Sequence, residues 1–162
     1  MRPRLAGDSH SPSTNEPRST TGNLQQQPKR TAEEFGVFAI YAFGSRGKEI
    51  ALRVQGDSPP RQPTRSDIDI GVQLRPGVHL HIDQKVAITR ALEELFEEDC
   101  VDLVMCEMAH PFLAQEIVSG ELLYCDDLDK QAAYELYVLR RAGDLAPYET
   151  ERRRMILEEG AK

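Results

Sequence analysis

The sequence has no CxxC pair, no apolar run longer than seven residues and no excess of basic charge, and each absence removes a class of protein. Cys100, Cys106 and Cys125 are an odd number without metal-ligand spacing, which argues against a disulfide framework or a structural zinc and fits reduced thiols. The longest apolar run, VFAIYAF at 37–43, falls far short of the roughly 20 residues that span a bilayer. It also stands too far into the chain, without a small-residue cleavage site, to serve as a secretory signal. A cytoplasmic protein with no membrane contact is expected. With 27 Asp and Glu against 20 Lys and Arg, the chain lacks the basic surface of a general nucleic-acid binder, so no direct nucleic-acid binding is expected.

At 162 residues the chain has room for one ordinary core. Residues 1–30 carry five basic and two acidic side chains and only Leu5 and Leu24 as large aliphatics, too little to offset chain entropy by burial. They read as a disordered tail of net charge +3, leaving −10 on the other 132 residues. TAEEFG can form a short helix, and 37–43 then reads as a buried strand stopped by Gly44 and Ser45. SRGKEIALRVQ suggests a helix start running into the breaker-rich loop at 56–65. SDIDIGVQL alternates Ile68, Ile70 and Val72 with Asp67, Asp69 and Gly71, the period of a strand with one apolar face. A crossover helix over HIDQKVAITRALEELFEE, a strand at VDLVMC, a helix at HPFLAQEIVSG and a short strand at ELLYC follow. From Asp127 onward the pattern is helical, with a break expected near GDLAP. No internal repeat is present. The order predicts an α/β (α+β) fold, a small mixed sheet flanked by helices, in one domain over 31–125 with a C-terminal helical extension at 126–162 packed on it.

Asp67 and Asp69 pose the chemical question. Residues i and i+2 of a strand face the same way, about 6.6–6.8 Å apart at Cα. Two carboxylates so placed repel by roughly 0.6 kcal/mol in water and about 2.5 kcal/mol at an effective dielectric near 20. A wet strand edge tolerates that cost, and charged residues there discourage edge-to-edge pairing. A divalent cation between them would reverse its sign, since Mg²⁺ takes one or two carboxylates together with phosphates and waters. Gly44 and Ser45, at a strand end leading into a helix, offer backbone N–H groups and a hydroxyl to a phosphate, or serve as an ordinary N-cap turn. Arg46 adds a positive charge suited to phosphate oxygens. Asp102, between apolar Val101 and Leu103, is either an edge residue or a third carboxylate facing the pair from an adjacent strand, able to complete a metal site or accept a proton. Glu97, Glu98 and Asp99 stand nearer the helix end and read as solvated.

The ordered set GSR, SDIDIGV and VDLV, each on or just after a strand, resembles the minimal nucleotidyltransferases of the DNA polymerase beta superfamily over about residues 35–125. The resemblance implies that Gly44, Ser45 and Arg46 contact the nucleotide phosphates and that Asp67, Asp69 and Asp102 form the catalytic and metal-binding triad. It implies two Mg²⁺ ions, a nucleoside triphosphate (ATP) as substrate, and in-line attack of a hydroxyl on the α-phosphate with loss of pyrophosphate. The sequence departs from the pattern in the 21 residues between Ser45 and Asp67, longer than is usual in small members. Small stand-alone members resemble the antitoxin half of two-gene modules, transferring AMP onto an all-helical HEPN-type RNase. The Arg and His of such a toxin are not supplied by the C-terminal helices here, because His110 is the last histidine; the toxin would be a separate chain. Transfer to a small molecule such as an aminoglycoside, with a homo-oligomer completing the pocket, and a non-catalytic toxin-binding module using the helix around Tyr134, Leu136, Tyr137 and Leu139 are the alternatives.

Overall fold

The structure, a computed structural model, describes residues 26–57 and 66–159. The expected disorder of residues 1–25 and most of the expected loop, 58–65, lie outside the described residues. Helix α1 (Gln27–Phe35) opens with Pro28 in its first turn and closes on Gly36, whose left-handed φ of 68° lets its N–H reach back to Ala32 O. Residues 27–30 are therefore helical, and the tail boundary read from composition is four residues too late. The reason is visible in the packing: Pro28, Thr31 and Ala32 are buried, a contribution that no count of aliphatics in the segment registers.

Strand β1 (Val37–Phe43) is buried at every position and lies inside a four-stranded sheet of order β3-β2-β1-β4. After a 3₁₀ turn at Gly44–Arg46 comes α2 (Gly47–Val54), then β2 (Ile68–Leu74), antiparallel to β1. Helix α3 (Ile82–Phe96) crosses over to β3 (Val101–Met105), which runs parallel to β2. Helix α4 (Pro111–Val118) leads to β4 (Glu121–Cys125), antiparallel to β1. The mixed sheet with flanking helices is the expected α/β architecture.

Alternation along the strands divides the core into two layers. Ile40, Ile68, Ile70 and Val72 meet Ile50, Ile88, Leu92 and Phe96 on one face. Phe38, Tyr41, Phe43 and Cys106 meet Ile117, Val118 and Val138 on the other. Each fully buried isoleucine contributes about 1.5–3 kcal/mol of transfer free energy. Gly71 breaks the alternation of β2 because α4 lies directly over it, where a β-carbon would overlap Ile117 Cγ2. On the face of β2 that carries Asp69, α4 thus covers the strand at Gly71, between the half-buried Asp69 and Gln73.

Helix α5 (Leu128–Glu159) is continuous for 32 residues. The break expected near GDLAP is absent. Pro147 removes one i→i−4 bond, and the carbonyl it leaves belongs to Gly143, which is exposed with open space where a side chain would be, so water can serve it. The first half of α5 packs through Val138 and Ala142 and through Gln131, which donates to the Tyr41 hydroxyl at 3.2 Å. Tyr148, Met155, Ile156 and Leu157 in the second half are exposed.

Candidate active site

Three strands deliver the site at one end of the sheet. Register places Phe43 of β1 opposite Asp69 of β2, and Asp69 opposite Asp102 of β3. Immediately past Phe43, Gly44 turns the chain with a φ of 68°. Its α-carbon lies so close to Asp69 that a β-carbon would overlap Oδ2, so both conformation and space demand glycine there. Asp67 enters β2 two residues upstream and is exposed, as is Ser45, whose hydroxyl donates to Ser66 Oγ at 3.5 Å. Gly44, Ser45, Asp67, Asp69 and Asp102, scattered over 59 positions of sequence, are thus gathered at one sheet end. Asp102 stands beside Asp69 in register, on the strand adjacent to it.

A cavity of about 570 Å³ opens at this point, walled by Gly44, Lys48, Asp69, Asp102, Glu116 and Glu121 among others. The Asp69 carboxyl titrates above the ordinary carboxylate range because it is buried, and the nearby charges of Asp102, Asp67 and Glu116 add to that. The wall gathers negative charge around the space beside Gly44. Lys48 is its one basic side chain and enters none of the ion pairs found among the described residues. A larger cavity of about 870 Å³ lies toward the other end of the sheet, against Leu74, Val78, Leu80 and Met105. No site residue expected from sequence reaches it.

Arg46 does not do what the sequence suggested. The tight 3₁₀ turn swings its guanidinium inward, leaving the residue 7% exposed. Nε and Nη2 donate to Glu49 at 3.1 and 3.0 Å, Nη2 and Nη1 to Glu98 at 2.7 and 3.3 Å, and Nη1 to Ser66 O at 3.2 Å. All five N–H groups are used, and none remains for a phosphate. Arg53 joins the cluster, pairing with Glu49 and, at 2.9 Å, with Glu98. Glu98, read from sequence as solvated, is instead held down to about 2 by its hydrogen bonds to Arg46 and Arg53, and Glu49 is lowered chiefly by Arg46. The cluster joins the three segments that carry the site: the Gly44 turn, the residue before Asp67, and the loop leading to Asp102.

Lys48, Glu116 and Glu121 went unnoticed in the sequence. Lys48 had a signal, being four residues past Gly44 and in the first turn of α2; the two glutamates had none, since only the return of α4 and β4 brings them here. Among the described residues no three His, Cys, Asp or Glu side chains are close enough together to enclose a metal ion unaided. The donors nevertheless suit Mg²⁺. Asp67, Asp69 and Asp102 offer hard oxygens that no described cation occupies, in an open site of the kind in which phosphates and waters complete the coordination.

Residues 26–129 match the family model for the polymerase beta nucleotidyltransferase domain. No curated protein matches the sequence significantly. Solved structures with the same fold include a toxin–antitoxin with AMP-PNP, at 19% identity over 85% of this chain and 98% of the other, with a TM-score of 0.57. A tri-AMPylated Shewanella oneidensis HEPN toxin in complex with MNT antitoxin matches at 17% identity over 88% and 99%, with a TM-score of 0.55. A toxin–antitoxin MntA–HpeT mutant, carrying two aspartate-to-glutamate changes two positions apart, matches at 18% identity over 85% and 98%, with a TM-score of 0.58.

Proposed function

The chain belongs to the polymerase beta nucleotidyltransferase family, and on that premise we propose that it transfers AMP from ATP, with Mg²⁺, to a hydroxyl of a HEPN-type RNase and thereby acts as its antitoxin. The observation that carries the reading is the register Phe43–Asp69–Asp102, which sets the Gly44 turn, Asp69 and Asp102 side by side around one cavity with Lys48 on its wall. The neighbours of like fold include a HEPN toxin that is AMPylated in complex with its antitoxin and a toxin–antitoxin holding AMP-PNP. The chain spans nearly the full length of those matched chains.

In this reading the Gly44 backbone, the Ser45 hydroxyl and Lys48 bind the polyphosphate, with Lys48 taking the role that Arg46 cannot fill. Asp67, Asp69 and Asp102 would hold Mg²⁺, which when bound supplies neutralisation of phosphate charge and a lower pKa for the attacking hydroxyl. The acceptor oxygen bonds to the α-phosphorus as the bond from that phosphorus to the bridging oxygen breaks. Pyrophosphate leaves with that electron pair, and the hydroxyl proton passes to Asp102 or to water. The acidic wall keeps such a proton acceptor at hand, and the cationic Lys48 offsets charge on the departing group.

A small-molecule acceptor is disfavoured by α5. A single helix whose second half is exposed builds no second wall around the cavity among the described residues. The test is to incubate the chain with α-labelled ATP, Mg²⁺ and the product of the neighbouring gene, a HEPN-type RNase in this reading, comparing wild type with Asp67→Asn plus Asp69→Asn. Label on the RNase that the double substitution abolishes is expected. Absence of label, or label indifferent to the substitutions, overturns the catalytic reading.

A further inference from the structure

We infer that the outer edge of β3 is the groove in which the protein acceptor lays an extended segment, pairing with the strand and running toward the catalytic cavity. The inference rests on the protein-acceptor reading above and adds to it where and how the acceptor docks.

β3 is outermost in the sheet and bonded to β2 on one side only. Among the described residues, no backbone hydrogen bond is made on its outer side. Against it runs a cavity of about 550 Å³ walled by Val86 and Thr89 of α3, by Leu103, Val104 and Met105 of β3, and by Leu113 of α4. Three consecutive strand residues point to alternate faces of the sheet. A space that touches all three, and helices from both faces, must follow the edge itself.

This groove is not a closed pocket. Val104 and Leu113 also line the catalytic cavity, so the two spaces adjoin across these residues. Five residues of β3 give the edge a length of about 13–17 Å, enough for four or five residues of a bound strand.

Helix α3 returns toward the start of β3, so Arg90 and Glu93 lie nearer the end of the groove beside Asp102, and Lys85 at the end of Met105 and Met108; with His110, the groove is lined by both signs of charge. Exposed Val86 and Met108, at 47% and 76%, flank it with apolar surface. An extended polypeptide satisfies the edge backbone whatever its sequence and seats alternate side chains on the apolar flanks.

The experiment measures AMP transfer to a HEPN-type RNase partner by wild type, by the Val86→Glu plus Met108→Glu variant, and by Arg152→Glu on the exposed second half of α5. Amide hydrogen exchange of residues 101–105 in the wild-type protein is followed with and without the RNase. The expected results are a KM for the RNase raised about tenfold or more by the groove variant, the equivalent of about 1.4 kcal/mol, no change with Arg152→Glu, and slowed exchange along β3 when the RNase is added. Unchanged KM with unprotected β3 amides overturns the inference and leaves the transferase reading standing. Protection that grows with protein concentration in the absence of the RNase makes the edge a contact between copies of this chain, which also overturns it. No label on the RNase from wild type sinks the protein-acceptor reading and this inference with it.

Discussion

Replacing Glu98 with Gln removes one negative charge from a cluster that holds two guanidinium groups and two carboxylates. Glu98 accepts from Arg46 at 2.7 and 3.3 Å and from Arg53 at 2.9 Å, and the side chains of Arg46 and Arg53 are only 8% and 15% exposed. In the variant Glu49 alone balances both cations, and one positive charge is left largely buried. The size of the loss follows from titration. The carboxyl falls from an ordinary 4.5 to about 2, and at about 1.4 kcal/mol per pH unit this corresponds to at most roughly 3.4 kcal/mol. Glu98 is 23% exposed and shares its partners with Glu49, so solvent screening and coupling reduce the figure to about 2 kcal/mol. For a chain of this length that lowers Tm by about 4–8 °C at pH 7. Because the folded value lies below the unfolded one, the stabilisation is complete above about 4.5 and drains away as pH falls toward 2. Urea denaturation of wild type and Glu98→Gln from pH 7 down to pH 3 should therefore show a gap that shrinks to less than half at the acid end. A gap that is constant with pH, or none at neutral pH, refutes the assignment of this cluster as a stabilising ion network.

The two arginine-or-lysine positions beside the turn separate cleanly. Lys48→Met should raise the KM for ATP about tenfold while leaving Tm unchanged, as expected for one lost charge-assisted hydrogen bond to phosphate. Arg46→Lys, which cannot reproduce five donors in a planar fork, should lower Tm by several degrees in thermal denaturation. Gly44→Ala forces a β-carbon onto Asp69 Oδ2 in a left-handed conformation, and the displaced carboxylate should cost about a hundredfold in transfer rate, read in single-turnover assays. Gly71→Ala pushes a methyl into Ile117 and should destabilise by about 1–3 kcal/mol, measured by denaturant midpoint, with no change in ATP affinity.

What could be read from sequence was what local periodicity and charge spacing encode. The run at 37–43 announced a central strand because nothing in it can face water, and Ile68, Ile70 and Val72 announced the apolar face of β2. Asp67 and Asp69 stood out because two carboxylates on one strand face repel, a cost that either a wet edge or a bound cation must offset. Their meeting with Asp102 needed the order of strands, which the βαβ pattern through α3 made legible. Arg46 was misjudged because its destination depends on a 3₁₀ turn one residue long on either side of Ser45, and on Glu98, 52 residues away. Glu98 was misjudged for the same reason, its partners being invisible in its neighbourhood. The start of α1 at Gln27 and the unbroken course of α5 through Pro147 follow from packing and solvation, which outweigh the local preferences that composition reports.

The central claim is that the group transferred is the nucleotide and not the terminal phosphate. Parallel reactions of the chain with Mg²⁺, a HEPN-type RNase as the proposed acceptor and either α-labelled or γ-labelled ATP decide it. Label on the RNase from α-labelled ATP alone is expected, with the γ label recovered in pyrophosphate. Label on the RNase from γ-labelled ATP, or from neither, would contradict nucleotide transfer.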